Sequence, residues 1–186
     1  IAVTVTIGCI LLAAVLSPEF AWRENALSNL GVTWTDAGTT TTAMLFNGGL
    51  VTGGAIGVIV TVSGLRWSTR RDDQAVLTLA GAALALMGLV GVFHQGEMLH
   101  FPVAISFFLL VSLTLWVDGG LLYRAGERRR GLVVAAAGTA NIAVWVVWFA
   151  AVENPSEGLA IPELVGALVF GGWLAATAFR LFDSRE

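Results

Sequence analysis

Apolar residues run in long, nearly uninterrupted blocks along this chain, and polar residues gather in the short breaks between them. Six such blocks stand out: 1–16, 41–64, 75–93, 102–122, 131–152 and 161–182. A helix rising 1.5 Å per residue needs about 20 apolar residues to cross a hydrocarbon core about 30 Å thick. Five blocks meet that length, and the first is short. The pattern predicts an all-α fold, an integral membrane bundle of six transmembrane helices forming one domain over residues 1–186.

Composition strengthens this reading. The chain is 56% hydrophobic and 12% charged, with a mean hydropathy of +0.81, whereas soluble domains carry about 25% charged residues. The first block lacks an initiator methionine, so further residues are expected before Ile1. A cleaved signal peptide is the rival reading, but no basic segment precedes the block and no clear small-x-small site follows it. All ten basic residues are arginine. With abundant Ala, Gly, Val and Thr and a pI of about 5.3, this usage resembles halophilic archaeal membrane proteins, though a high-GC actinobacterium would produce much the same.

The arginines also suggest an orientation. Arg66, Arg70 and Arg71 separate blocks two and three; Arg124, Arg128, Arg129 and Arg130 separate blocks four and five; Arg180 and Arg185 lie at the C-terminal end. Short arginine-rich loops stay in the cytoplasm. The chain is therefore expected in the cell membrane with both termini in the cytoplasm and segments 17–40, 94–101 and 153–160 outside. The outer segments collect Glu19, Glu24, Asp36, Glu97, Glu153 and Glu157, and only Arg23 falls among them. In block two, Gly49, Gly53 and Gly57 recur every four residues. That smooth face predicts close helix contact and a place at the bundle centre.

Candidate chemistry concentrates at the outer face. The only two histidines, His94 and His100, flank Glu97 in the stretch from Phe93 to Pro102. Imidazole and carboxylate suit a divalent metal such as Zn²⁺, so His94, Glu97 and His100 form the candidate metal set. On one regular helix the two histidines would point about 120° apart, so a turn at Gly96 would be needed. The alternative is that they cap helices and bond to headgroups or backbone. Glu163, in the first turn of the last helix, suits the helix dipole there. The alternative is that it faces His94 or His100 across the outer mouth and acts as general base or ligand.

Ser28 becomes a nucleophile only if a histidine comes within hydrogen-bond reach, and Ser28 or Asn29 would otherwise serve as caps. Together His100, Glu163 and Ser28 are the candidate catalytic residues, and Asn29, Asn47, Glu97 and Asn141 the candidate ligand-binding ones. Intramembrane amides usually face a bundle interior, and for Asn141 the favoured role is an interhelical hydrogen bond. Asp118 reads as structural, paired with Arg124. Residues 17–38 are long for a helix connection and could fold as an amphipathic lid over the outer mouth.

Several classes are excluded. No glycine-rich phosphate loop, GxSxG, HExxH or CxxC is present, and with one cysteine, Cys9, there is no intrachain disulfide. Without lysine a retinal Schiff base cannot form. Two histidines six residues apart at one bilayer level are poorly placed to hold a haem.

The stretches Leu27-Ser28-Asn29-Leu30-Gly31, Leu45-Phe46-Asn47-Gly48-Gly49-Leu50 with Gly53-Gly54, and Gly91-Val92-Phe93 followed by His100 and Phe107-Phe108 carry a family resemblance over nearly the whole chain. They resemble a domain-of-unknown-function family of archaeal and bacterial multi-pass membrane proteins. That family is similar, more remotely, to Frag/DRAM-type six-helix proteins, some linked to lipid remodelling. By position Ser28, Asn29, Gly31, Asn47 and His100 match the family pattern, while the family often has proline where this chain has His94. No activity comes with the resemblance.

Three functions follow as expectations. The first is binding of a lipid head group or small ligand at an extracytoplasmic polar mouth. The second is a membrane-embedded hydrolase or transferase acting on lipid, metal-dependent or acid-base. The third is a small-solute transporter or channel. Expected partners are membrane lipids, a second copy of the chain or another membrane protein; nucleic acid is not expected.

Overall fold

The computed structural model describes residues 1–151 and 158–183. Six α-helices and one short 3₁₀ helix make up the fold: α1 (Ala2–Val15), the 3₁₀ helix (Leu27–Gly31), α2 (Thr40–Trp67), α3 (Arg71–Val92), α4 (His100–Arg124), α5 (Arg128–Ala151) and α6 (Ala160–Asp183). Five helices, α2 to α6, are long and apolar enough to cross a membrane; α1 is a shorter apolar helix of 14 residues. No strand occurs among the described residues. Glu153, Glu157 and Arg185 lie outside them.

Local signals fix the ends. Thr39 caps α2 reciprocally: its hydroxyl accepts from the Thr42 N–H at 3.1 Å, and the Thr42 hydroxyl accepts from the Thr39 N–H at 2.8 Å. Such caps stabilise a helix start by about 1 kcal/mol. Asp72 and Asp73 occupy the first turn of α3, where the helix dipole favours anions. Between α4 and α5 the Glu127 N–H reaches the Leu122 carbonyl at 3.0 Å and the Gly126 N–H the Tyr123 carbonyl at 3.2 Å. That closing pattern needs a left-handed residue, and Gly126 supplies it at φ 95°.

The helices pack as a ring, each against the next in sequence, and α6 returns to meet α1 while also touching α4. The predicted central position of α2 does not occur. Gly49 and Gly53 receive Cys9 and Thr6 of α1, while Gly54 and Gly57 receive Leu84 and Gly88 of α3. The glycines work as the pattern implies, letting two neighbours approach at once, but a ring has no central helix. Its interior is filled by side chains, among them Phe46, Leu84, Phe107, Val111, Leu115 and Phe170.

Outward, the helices are apolar: Ile59, Val60, Val133, Val146 and Val147 are each more than 60% exposed. Exposed apolar area costs about 25 cal/mol per Å² in water, so this surface belongs in lipid. The arginines of the α2–α3 and α4–α5 turns mark one end of the bundle. The segment 17–39, with the 3₁₀ helix at its middle, crosses the other.

Candidate functional site

That crossing segment is a lid, and its hydrogen bonds explain its shape. A short 3₁₀ turn is weak alone and leaves its first N–H groups unpaired. Here the carboxylate of Glu163, projected from the first turn of α6, accepts the Leu27 N–H at 2.6 Å. It also takes a backbone bond from Ser28. Asn29 closes the turn from within, its Oδ1 accepting the Ala26 N–H at 2.6 Å while its Nδ2 donates to Gln95 Oε1 at 2.9 Å. From α2 the Asn47 amide donates to the Gly31 carbonyl at 2.7 Å. The start of α6 is stitched to the lid directly: the Gly158 and Ala160 N–H groups donate to Glu24 and Asn25 carbonyls, both at 3.0 Å. Farther along, the Ser17 hydroxyl donates to the Ala37 carbonyl at 2.7 Å.

Beneath the lid is a cavity of about 60 Å³, reached by α1, the lid, α2, α3, α4 and α6 but not α5. Its walls are apolar, with Ile10, Phe46, Leu50, Met87, Phe107 and Phe108 prominent; its polar lining is Thr6, Ser28, His100 and Glu163. The volume admits a few water molecules or one small polar group. Thr6 already donates to the Gly49 carbonyl at 3.4 Å.

His100 has a defined tautomer. Its Nδ1 lies 2.7 Å from the Phe93 carbonyl, and a carbonyl can only accept, so Nδ1 carries the proton. In the neutral ring Nε2 then holds the lone pair, the arrangement that orients a histidine as acceptor or base.

The structure thus brings the three predicted catalytic residues, His100, Glu163 and Ser28, to one cavity from three different elements. Asn29 and Asn47 do not line it; they fasten the lid, their side-chain N–H groups engaged with Gln95 and Gly31. Asn141 is 0% exposed, deep between helices, where Nδ2 donates to the Phe108 carbonyl at 3.0 Å and to Ser112 Oγ at 2.9 Å. Of the predicted metal set, His94 Nε2 and Glu97 Oε1 pair at 3.0 Å on an exposed turn, while His100 faces Phe93. Among the described residues no three His, Cys, Asp or Glu side chains gather as an ion site.

Sequence reasoning passed over Gln95, Thr6, and the pairing of Asp118 with Trp173, whose indole N–H donates to Oδ2 at 2.7 Å. Asp118 is buried, in α4 facing α6, and Trp173 lies 55 residues away. No local spacing signals that contact.

A lid-capped ring of helices, five of them able to span a bilayer and all apolar outside, defines a multi-pass helical membrane protein. Its family is equally clear. The chain belongs to the family described as protein of unknown function (DUF998), whose model matches residues 1–180. No curated protein matches the chain, and no solved structure does.

Proposed function

We propose that this membrane protein binds a small polar group, the head group of a lipid or a small ligand of similar size, in the cavity under the lid. The supporting observation is the meeting of His100, Ser28 and Glu163 on one apolar-walled cavity. Apolar walls with a few convergent polar groups are the usual make-up of a ligand site. In this reading His100 Nε2 accepts from the ligand, Ser28 offers a hydroxyl, and Glu163 holds the roof. By the arginine distribution, the lid faces outside and both termini lie in the cytoplasm.

Native mass spectrometry of the protein purified in mild detergent tests the binding. A lipid or small molecule should stay with the wild type and with His94→Phe, and dissociate from His100→Phe. Equal retention by His100→Phe, with unchanged elution as a folded species, refutes the reading. Orientation is tested by C-terminal reporter fusions: fluorescence of a cytoplasmic reporter is expected, and activity of an export-dependent phosphatase would reverse the assignment.

The shared cavity and the His100 tautomer favour one second reading, a hydrolase or transferase acting on lipid with Ser28 as nucleophile and His100 as base. Labelling of the wild type but not Ser28→Ala by a fluorophosphonate would support it, and no labelling of either would remove it.

A further inference from the structure

One buried polar pair lies outside the cavity and is unused by the site above. Asn141, fully buried on α5, has its amide orientation fixed, because the Phe108 carbonyl can only accept and so must face Nδ2. Its Oδ1 is therefore turned away from α4 and meets no donor. That oxygen faces α6 at Gly166, lying 2.8 Å from where a side chain's first carbon would stand. One helical turn further along α5, Trp145 Nε1 is a buried donor with no acceptor. Residues four apart share a helix face, about 6 Å between their Cβ atoms. Both flank Phe108: Asn141 through its backbone, Trp145 through a ring contact at 4.9 Å between centroids.

An orphaned buried donor or acceptor costs about 1–3 kcal/mol, and here one of each stands on one face. A cation would satisfy only the oxygen and an anion only the indole. A hydroxyl satisfies both, accepting from Trp145 and donating to Asn141. We propose that α4, α5 and α6 hold a hydroxyl site, bridging Trp145 Nε1 and Asn141 Oδ1 beside Gly166, for a water molecule or the alcohol group of a lipid. Gly166 keeps α6 close without covering that oxygen, since a side chain there would press on the Phe108 ring and the Asn141 oxygen. Phe108 and Ala167, next to Gly166, also line the cavity under the lid, so the two places are neighbours.

Proton-detected solid-state NMR of indole-¹⁵N-labelled protein tests this in phosphatidylcholine liposomes, whose lipid carries no hydroxyl. The Trp145 resonance is assigned by its loss in Trp145→Phe. A cross-peak from its N–H to a hydroxyl proton pool in these liposomes identifies bound water. A cross-peak appearing only when diacylglycerol is added identifies a lipid alcohol. Either supports the site, and Asn141→Leu should then abolish the cross-peak. No cross-peak in either lipid, or one unchanged in Asn141→Leu, overturns it; the wild-type measurement alone suffices if that variant fails to fold.

Discussion

Replacing Glu163 by alanine isolates the latch between the last helix and the lid. The carboxylate accepts the Leu27 N–H at 2.6 Å and a second backbone bond from Ser28. Alanine leaves both N–H groups at the start of a 3₁₀ turn that has no other partners for them. Each unsatisfied group costs about 1–3 kcal/mol. Because the site is partly buried and water can reach one of them once the lid loosens, the sum is set at about 2–4 kcal/mol. At 1.4 kcal/mol per decade, the open fraction of the lid rises about 30- to 700-fold. Hydrogen–deuterium exchange reads this directly, since amide exchange follows local opening. Exchange across 26–31 should accelerate by that factor in Glu163→Ala, while the helical peptides of α3 and α4 hold their rates. Glu163→Gln keeps a neutral acceptor and should lose only about 1 kcal/mol, a roughly fivefold acceleration. Exchange of 26–31 within twofold of wild type in Glu163→Ala would refute the latch.

Three further outcomes are expected. Gly53→Ala sets a methyl group onto Thr6 of α1 and 3.3 Å from the Ala2 carbonyl, an overpacking of about 1–3 kcal/mol; Gly48→Ala meets nothing within 4 Å and gains up to about 1 kcal/mol of helix propensity. Differential scanning fluorimetry in detergent should lower the midpoint for the first and hold or raise it for the second; the reverse order would mean α1 does not seat on α2 this way. Asn141→Leu and Ser112→Ala should couple by about 0.6 kcal/mol, the usual worth of an interhelical bond, in a double-mutant cycle of unfolding, and strict additivity would deny the bond. Gly158→Ala places a side chain against the Arg23 carbonyl and Trp148 at a φ of 66°, so it should speed exchange in the lid as Glu163→Ala does, and an unchanged lid would show that the α6 start is not seated there.

How far the sequence carried depends on the range of the contact. Helix existence was legible because hydrophobic length is a local property, and the expected 41–64 and 102–122 became Thr40–Trp67 and His100–Arg124. The small shift at α4 has a simple cause: proline lacks an N–H that the whole first turn leaves unused, so Pro102 sits in the third helical position rather than the first. His94 and Glu97, three apart, met as neighbours on one turn. His100 did not join them, because the Phe93 carbonyl freed at the end of α3 captures its ring. The lid was legible as an extra-long polar connection. Its anchoring was not, since Glu163 and Leu27 are separated by 136 residues and nothing local tells a carboxylate which distant N–H it will cap. Glu163 was recognised at a helix start, but the helix whose dipole it serves most directly is the 3₁₀ turn of another segment.

The stitching of the lid to α6 sets the order in which this protein becomes complete. Residues 17–39 leave the ribosome well before the groups of α6 and its approach that hold them, Gly158, Ala160 and Glu163. Until α6 is in the bilayer the lid has its internal bonds and its ties to α2 and to the α3–α4 connection, but the cavity beneath it lacks a wall and the Glu163 latch. A chain halted after five helices can be inserted and oriented yet have no closed pocket. Insertion and site formation are therefore separate events, and α6 is the helix that turns an inserted bundle into a closed site.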